Sequence, residues 1–452
     1  MYQEKLREYF DKHMGEILDD LAEIISIESV ADEQSEIKPF GEGSKKALEW
    51  GIKKLDELGM STRNIDGYAV HGDHIPGMEP ELGILSHLDV VPAGEGWHSD
   101  PFKLDIRDDA LYGRGTIDDK GPSVAVLWAV KAIRELGIPI SRNFRVIFGG
   151  DEEKGCKDME YYEKKVGFPE KLFTPDGLFP VLNCEKGLIH LNFEGETAQE
   201  DKSVLSLKCG TVINAVPGKA VIRISGDNGE FIEALKRADN RLDISEDNGS
   251  IVINGSSAHG SRPERGINTA TAVIKALNDC GYPGFEGLCR VFPHGEYNGK
   301  SAGLGFSDKI SGEMTLALTI LNISGGKLSG GLDIRFPIDR KASEILDIIT
   351  HSIKKAGMRP GKCFSMESHY VDEDSEFIQT LLKVYEDVTG EKGYCISEGG
   401  ITYVHNTKGG VAFGAEFPDE DNHMHGPDEH ITMETFKKNL MLYACAIIEL
   451  TK

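Results

Sequence analysis

LGILSHLDVVP, residues 82–92, and FRVIFGGDEEKG, residues 144–155, are the stretches that decide the fold. Each begins as an apolar run with the composition of a buried strand and ends in polar residues. Between them, GPSVAVLWAVKAIRELG has helical periodicity, with Pro122 suited to the first turn and Gly137 to the end. The pattern predicts a mixed, mostly parallel α/β sheet with helices on both faces.

The pattern of predicted secondary-structure elements changes at about residue 188. Strand-like segments such as VINAVPGKAVIRISG and GGLDIRFPID alternate there with helical ones such as FIEALKRA and NTATAVIKALNDCG. Helical periodicity and a strand-like GGVAFGAEF return after about residue 371. We therefore predict a discontinuous first domain, residues 1–187 and 371–452, and an α+β domain, residues 188–370, inserted in it.

The composition excludes several classes of function. The 452-residue chain carries a net charge of -25, which repels nucleic acid and anionic lipid surfaces. Its apolar runs, such as Val124 to Val130, are far shorter than the roughly 20 residues that span a bilayer. The eight cysteines are scattered singly, which fits reduced thiols. We expect no nucleic-acid partner, no membrane segment and a cytoplasmic location.

Two polar clusters lie between the strand that begins at Leu82 and the predicted helix that follows it in the sequence. Residues two apart on a strand face the same side, so His87 and Asp89 can meet at one point. A metal-bound histidine needs an acceptor for its other ring nitrogen, and Asp89 can supply one. In GRGTIDDKGP, Asp118 and Asp119 stand just before the helix. The alternative for the first cluster is a set of surface or helix-cap polar side chains, and for the second a carboxylate that only caps the helix.

Three more clusters contain acids or histidines. Glu152 and Glu153 belong to three adjacent acids that repel one another unless cations neutralise them, although a solvated acidic turn is the alternative. Asp176 lies in the turn FTPDGLFPV, where an aspartate is commonplace. His423 and His425 lie in NHMHGPDEH, either as ligands or as solvated surface.

The clusters are more informative together than singly. Two histidine sites and four carboxylate sites at the strand ends of one predicted domain suit two divalent ions. The sequence has no HExxH and no GxSxG motif, and NGKSAG lacks the upstream glycine of a phosphate loop. Metal chemistry is therefore favoured over nucleotide or serine chemistry.

Six motifs carry a resemblance to a known family: SHLDVVPAG, YGRGTIDDKGP, GGDEEKG, FTPDGLFPV, AHGSRPERGIN and HGPDE. In this order and spacing they resemble the M20 family of co-catalytic zinc metallopeptidases over nearly the whole chain. The PDGLFPV turn and the long inserted domain look most like the PepV-type dipeptidases, with the carnosinase-like enzymes further away. The resemblance implies a zinc-peptidase-like catalytic domain, an inserted lid domain and dipeptidase activity.

The resemblance also implies five metal ligands. Asp118 would bridge two ions. His87 and Asp176 would complete the ligands of one ion, and Glu153 and His425 those of the other. Mixed imidazole and carboxylate ligands suit Zn²⁺, with Mn²⁺ or Co²⁺ as alternatives.

Roles for the neighbouring residues follow from the same resemblance. Glu152 would be the general base that takes a proton from water and passes it to the leaving amine. Asp89 would orient His87. Asp119 would be a neighbour and not a ligand, and His423 lies outside the matched position.

Four residues are expected, by the resemblance, to contact the substrate. His259 matches a lid histidine that stabilises the oxyanion, while Asn214 and Arg335 look like a lid asparagine and arginine. Arg335 would pair with a substrate carboxylate, which favours dipeptides. Gly400 lies in EGGITY, which is similar to a family loop at the substrate backbone. GITYVHN departs from the usual GGTYAR-like run, so the side-chain preference for the substrate stays open. Ordinary lid packing stays open as the alternative for the histidine, asparagine and arginine, and a plain turn as the alternative for Gly400.

Two other functions stay open at this point. An M20-type N-acyl or N-succinyl amino acid deacylase needs the same metal chemistry as a dipeptidase. A non-catalytic metal-dependent small-molecule binding protein is the alternative from another class, although Glu152 and all five expected ligands are present. The enlarged lid of the PepV-type relatives implies a monomer whose partner is a small peptide.

Overall fold

The computed structural model of the protein describes residues 2–197, 202–418 and 420–452. Its α-helices in these ranges are α1 (Tyr2–Ile25), α2 (Gly41–Glu57), α3 (Lys120–Glu135), α4 (Lys157–Lys165), α5 (Asn228–Ala238), α6 (Thr269–Asp279), α7 (Glu286–Val291), α8 (Ala342–Lys355), α9 (Glu376–Thr389) and α10 (Met433–Thr451). The strands of the first part are β1 (Ser61–Ile65), β2 (Ala69–Asp73), β3 (Leu82–His87), β4 (Asp105–Arg107), β5 (Ala110–Tyr112), β6 (Phe144–Gly149), β7 (Lys171–Thr174) and β8 (Val181–Glu185).

The remaining strands follow in chain order. Those of the middle part are β9 (Gly187–Glu196), β10 (Val204–Cys209), β11 (Ala215–Val216), β12 (Lys219–Ile224), β13 (Asp243–Asp247), β14 (Ser250–Asn254), β15 (Ala258–His259), β16 (Ser307–Asp308), β17 (Gly312–Glu313), β18 (Thr315–Ser324), β19 (Lys327–Phe336) and β20 (Arg359–Met366). The last are β21 (His369–Tyr370), β22 (Cys395–Glu398), β23 (Gly410–Ala412) and β24 (His430–Thr432).

The chain divides into two compact units. The first comprises Met1–Asn183, Val371–Ile396 and Ile401–Lys452, and the second comprises Cys184–Tyr370 and Ser397–Gly400. The domain boundaries at 187/188 and 370/371 stay a prediction from the sequence. Within the described ranges, no helix has both the length and the apolar composition that crossing a membrane requires.

The first unit is built on a mixed sheet with the order β1-β2-β6-β3-β7-β23-β8. The central pairs β6-β3, β3-β7 and β7-β23 are parallel, while β1-β2, β2-β6 and β23-β8 are antiparallel. Strands β3 and β6 are buried along their whole length, as expected of apolar parallel strands covered on both faces. The predicted α/β class with a mixed sheet is confirmed.

Helices cover both faces of this sheet. Ile84 of β3 packs into a core formed with α1, α2, α3, α9 and α10, and the next residue, Leu85, packs into a smaller core on the opposite face with Met159 of α4. Alternation of this kind is what a strand between two layers requires. Pro122 lies in the first turn of α3, and Gly137, with a φ of 63°, follows its end. The strand ends are therefore held between two packed layers.

The second unit has its own sheet and its own core. Its eight strands pair antiparallel in the order β13-β14-β12-β10-β18-β19-β9-β20. Side chains of α5, α6, α7 and α8 pack with the apolar residues of these strands. Antiparallel strands with helices packed against them form an α+β architecture.

Candidate metal centre

Three strand ends in the first unit bring acids and a histidine to one edge of the sheet. His87 is the last residue of β3, and Asp176 follows the end of β7. Glu152 and Glu153 form a short 3₁₀ helix after β6. Since β3 pairs parallel with both β6 and β7, the carboxyl ends of the three strands lie side by side.

Two loops complete the cluster. Asp118 lies in the turn before α3, and His425 lies in the turn before β24 with a φ of 61°. One carboxylate oxygen of Asp118, Oδ1, is 2.9 Å from His87 Nε2, and the other, Oδ2, is 2.7 Å from His425 Nε2. Asp118 thus presents a different oxygen to each histidine.

The ligand atoms form two groups. Ligand atoms of His87, Glu152 and Asp176 all lie within 4.8 Å of one another, and the same holds for Asp118, Glu153 and His425. Within these groups, His87 Nε2 is 3.6 Å from Asp176 Oδ2, and His425 Nε2 is 3.2 Å from Glu153 Oε2. Ligand atoms about 2.0–2.2 Å from a tetrahedral Zn²⁺ are roughly 3.3 Å apart, which matches these separations.

The electrostatics of the cluster fit divalent cations. Among the described residues, the buried oxygen Glu153 Oε1 has no hydrogen-bond partner, which is costly for a buried polar atom. Burial and the nearby carboxylates of Asp176 and Glu153 raise the pKa of Glu152 well above its ordinary value. Burial and Asp118 raise the pKa of Glu153 to about 7. Crowded, buried carboxylates of this kind need positive charge to ionise together.

Asp89 holds both the histidine and the acidic turn. Its backbone oxygen is 3.0 Å from His87 Nδ1, and its carboxylate Oδ1 is 3.5 Å from the same nitrogen. The carboxylate accepts hydrogen bonds from the backbone N–H groups of Glu152 and Glu153, each at 3.1 Å. The sequence suggested only the contact with His87, and the two amide bonds were not foreseen.

We expect Asp89→Asn to lower both metal affinity and kcat/KM by roughly 10–100-fold, the usual effect of losing a partner of a metal ligand. The Glu152 N–H donates to Oδ1 and the Glu153 N–H to Oδ2, and a carboxamide replaces one of these oxygens with an NH₂ donor, so one of the two bonds is lost. Titration of chelator-stripped protein with Zn²⁺, together with initial rates on a dipeptide, measures both effects. Wild-type affinity and rate in the variant would contradict this role.

Two residues near the cluster are not in either group. The carboxylate of Asp119 accepts hydrogen bonds from the Ser86 hydroxyl and, at 3.1 Å, from the His87 backbone N–H. His423 is exposed, and its Nδ1 lies 3.1 Å from the backbone oxygen of Pro427. These contacts do not place the side chain of Asp119 or of His423 among the ligand atoms.

A buried pair that was not predicted from the sequence, Asp158 and Tyr403, holds the backbone of the acidic turn. The Asp158 carboxylate accepts hydrogen bonds from Gly150 N at 2.7 Å, from Asp151 N at 3.0 Å and from the hydroxyl of Tyr403. The Tyr403 ring meets the His87 ring edge to face, with centroids 5.9 Å apart. A Cβ on Gly149 would collide with both members of the pair. The glycine of GGDEEKG was the available signal, since a closely approached backbone requires glycine.

In the second unit, Asn214 and His259 lie close together. Strand β11, which follows Asn214, pairs with β15, and Ala215 lies opposite His259. The Gly260 N–H donates to the Asn214 backbone oxygen at 2.7 Å. His259 is exposed, with its Nδ1 2.7 Å from Ser261 Oγ.

Arg335 is buried in the same unit, only 3% exposed. Its Nε and Nη2 donate to the Asp333 carboxylate at 2.7 and 2.9 Å, and its Nη1 donates to the Gly399 backbone oxygen. The carboxyl carbon of Asp333 would be 2.7 Å from a Cβ placed on Gly260. Arg335 therefore joins the loop that contains Gly400 to the segment that follows His259.

Comparison with known proteins gives one family and several relatives. The model of "Peptidase family M20/M25/M40" matches residues 83–449. The putative dipeptidase YtjP of Bacillus subtilis (strain 168) is 35% identical, covering 97% of this chain and 97% of that protein. The Beta-Ala-Xaa dipeptidase of Lactobacillus delbrueckii subsp. lactis is 31% identical, covering 96% of each.

A solved structure shares the fold at lower identity. Human carnosine dipeptidase 1 aligns with a TM-score of 0.60 and 18% identity, covering 99% of each chain. At this level of identity the likeness concerns the fold alone. The expected resemblance to M20 metallopeptidases and the expected fold are confirmed.

Proposed function

The chain belongs to peptidase family M20/M25/M40 and is a hydrolase of peptide bonds, of the dipeptidase kind, and we propose that it cleaves dipeptides with two divalent ions and Glu152 as general base. The observation that carries the proposal is the pair of ligand groups in the first unit, between which Asp118 presents one oxygen to His87 and the other to His425. Zn²⁺ is the proposed metal, because the groups combine imidazole with carboxylate.

Two bound divalent ions supply Lewis-acid polarisation of the scissile carbonyl and a water acidified toward neutral pH. Glu152 accepts the proton of the attacking water and delivers it to the leaving amine nitrogen. A carboxylate suits both steps, because it accepts the first proton and its conjugate acid releases that proton later. Asp89 accepts the Glu152 backbone N–H and therefore fixes the position from which the Glu152 side chain extends.

The second unit is proposed to recognise the substrate through His259, Asn214, Arg335 and Gly400. An imidazole donor at His259 would stabilise the oxyanion, and Arg335 would select a free carboxylate. The contacts of Arg335 with Asp333 and with Gly399 fix the guanidinium plane beside the loop before Gly400. A substrate carboxylate would accept from the N–H groups of Arg335 that these bonds do not use. Substrates blocked at the carboxyl end would be poor under this proposal.

We expect His259→Ala to lower kcat by roughly 10²–10³-fold, the usual effect of removing one oxyanion donor. The metal content stays at the wild-type value, because His259 belongs to neither ligand group. His351→Ala, which removes another exposed histidine of the same unit, is the matched control and keeps wild-type rates. Equal kcat values in wild type and His259→Ala would remove this residue from the mechanism.

The experiment that tests the function is hydrolysis of a substrate panel by chelator-stripped protein reloaded with Zn²⁺ or Mn²⁺. The panel contains Ala-Ala, Leu-Gly and β-Ala-His, the last because one relative is named a Beta-Ala-Xaa dipeptidase. N-acetyl and N-succinyl amino acids are assayed alongside. Metal-dependent cleavage of dipeptides supports the proposal, and cleavage of acyl amides only would assign a deacylase. Bound ions without turnover of either class would assign a binding protein.

A further inference from the structure

In the loop that carries Asp118, the backbone N–H groups of Gly115, Ile117 and Asp118 donate to a side chain and not to another backbone oxygen. This loop connects β5 to α3 and includes Gly113 and Gly115, with φ values of 156° and 93°. Buried backbone N–H groups in such a loop need acceptors from elsewhere in the chain. How these groups are satisfied decides where the Asp118 carboxylate lies.

One carboxylate oxygen accepts three of these groups. Glu429 Oε1 is 2.9 Å from the N of Gly115, 3.2 Å from the N of Ile117 and 3.4 Å from the N of Asp118. The Glu429 backbone oxygen accepts the Gly113 N–H at 3.0 Å. Bonds from backbone amides that converge on one carboxylate are charge-assisted, and such bonds are stronger than neutral ones.

The charge of Glu429 is balanced by a second buried group. Glu429 and Arg114 are each 1% exposed, and Arg114 Nη1 donates to Glu429 Oε2. Arg114 Nη2 donates to backbone oxygens of three residues: Gly426 at 3.2 Å, Ala93 at 3.3 Å and Pro92 at 3.4 Å. The pair therefore joins the segment after β3, the Asp118 loop and the His425 turn.

We propose that Glu429 is a positioning residue that sets Asp118 and His425 at the separation needed to hold the metal ions. Glu429 is four residues after His425 on one turn and bonds the backbone N–H of Asp118 itself. It fixes both partners of the 2.7 Å contact between His425 Nε2 and Asp118 Oδ2. The inference rests on the proposed function for its link to catalysis, but not for its link to metal binding.

The test compares two variants that each break a carboxylate–arginine pair in the first unit. Glu429→Gln keeps the shape but places an amide N–H against either Arg114 or the loop amides. Asp73→Asn is the matched control, since Asp73 pairs with Arg145 at 2.6 and 2.9 Å elsewhere in the same unit. Chelator-stripped proteins are titrated with Co²⁺, and affinity, visible absorption spectrum, kcat, KM and urea unfolding are measured.

Glu429→Gln is expected to lower Co²⁺ affinity by roughly 10–100-fold and to change the Co²⁺ spectrum. Its kcat falls while KM for the dipeptide stays near the wild-type value. Asp73→Asn loses stability and keeps the wild-type affinity and spectrum. Wild-type Co²⁺ affinity and spectrum in Glu429→Gln, with only stability reduced, would overturn the inference.

A second variant keeps the test decisive when Glu429→Gln does not fold. Glu429→Asp retains the charge beside Arg114 but is one methylene shorter, so it cannot reach all three amides. Its Co²⁺ affinity is expected to lie between those of wild type and Glu429→Gln, and a wild-type value would again contradict the inference. Co²⁺ uptake by a wild-type protein that cleaves no dipeptide would refute the proposed function, while the Co²⁺ comparison still decides the role of Glu429.

Discussion

Glu152→Gln is expected to lower kcat for dipeptide hydrolysis by roughly 10²–10⁴-fold, the range that a positioned general base contributes. Glutamine has nearly the shape of glutamate, but it does not accept a proton from water. Steady-state rates at saturating Zn²⁺ measure the effect.

Metal content distinguishes a base from a ligand at this position. Glu152 lies within ligand distance of His87 and Asp176, so a role as a third ligand makes a different prediction. A general base leaves two Zn²⁺ per chain in the dialysed variant, whereas a ligand would leave fewer. Glu160→Gln, an exposed glutamate on α4, serves as the control and keeps full activity. A Glu152→Gln protein with fewer than two ions would contradict the assignment of the base.

Asp118→Ala is expected to bind fewer than two Zn²⁺ ions per chain and to lose at least about 10³-fold in kcat/KM. The Asp118 carboxylate faces His87 with one oxygen and His425 with the other, so a bridging role predicts that its removal takes a ligand from each of the two ions. Lewis-acid stabilisation by a bound ion is worth several kcal/mol, and about 4 kcal/mol corresponds to about 10³-fold. Metal analysis after gel filtration and initial rates measure the two quantities.

The control for this change is Asp19→Ala, which removes an exposed aspartate from α1. It keeps both ions and the wild-type rate. An Asp118→Ala protein that still holds two ions with wild-type affinity would show that each histidine group binds its ion without this carboxylate. The bridging role would then be wrong even if activity fell.

The features that could be predicted from the sequence are those that local pattern determines. Strands β3 and β6 are unbroken apolar runs, and their ends are marked by His87 and by the acidic turn of Glu152. Parallel strands end at one edge, so the meeting of these side chains follows from strand direction. Local periodicity likewise predicted the helix α3 that follows Asp118.

The features that could not be predicted depend on contacts between distant segments. Arg114 and Glu429 are 315 positions apart, and nothing in GRG or HGPDE marks them as partners. The orientation of Asp89 is a similar case, because strand alternation predicted the side it faces but not that its carboxylate would accept two backbone amides. Such bonds depend on how loops close, which periodicity does not describe.

The interior position of β23 in its sheet has a consequence for biosynthesis. This strand lies between β7 and β8, yet it is translated only after the whole of the second unit's sheet, from β9 to β20. A ribosome-bound chain that ends before residue 410 has no strand for this place and no His425 for the cluster. Domains generally fold as units during synthesis. We therefore expect the second unit to reach its native structure on the ribosome and the first to finish folding only after β23 and His425 have been synthesised.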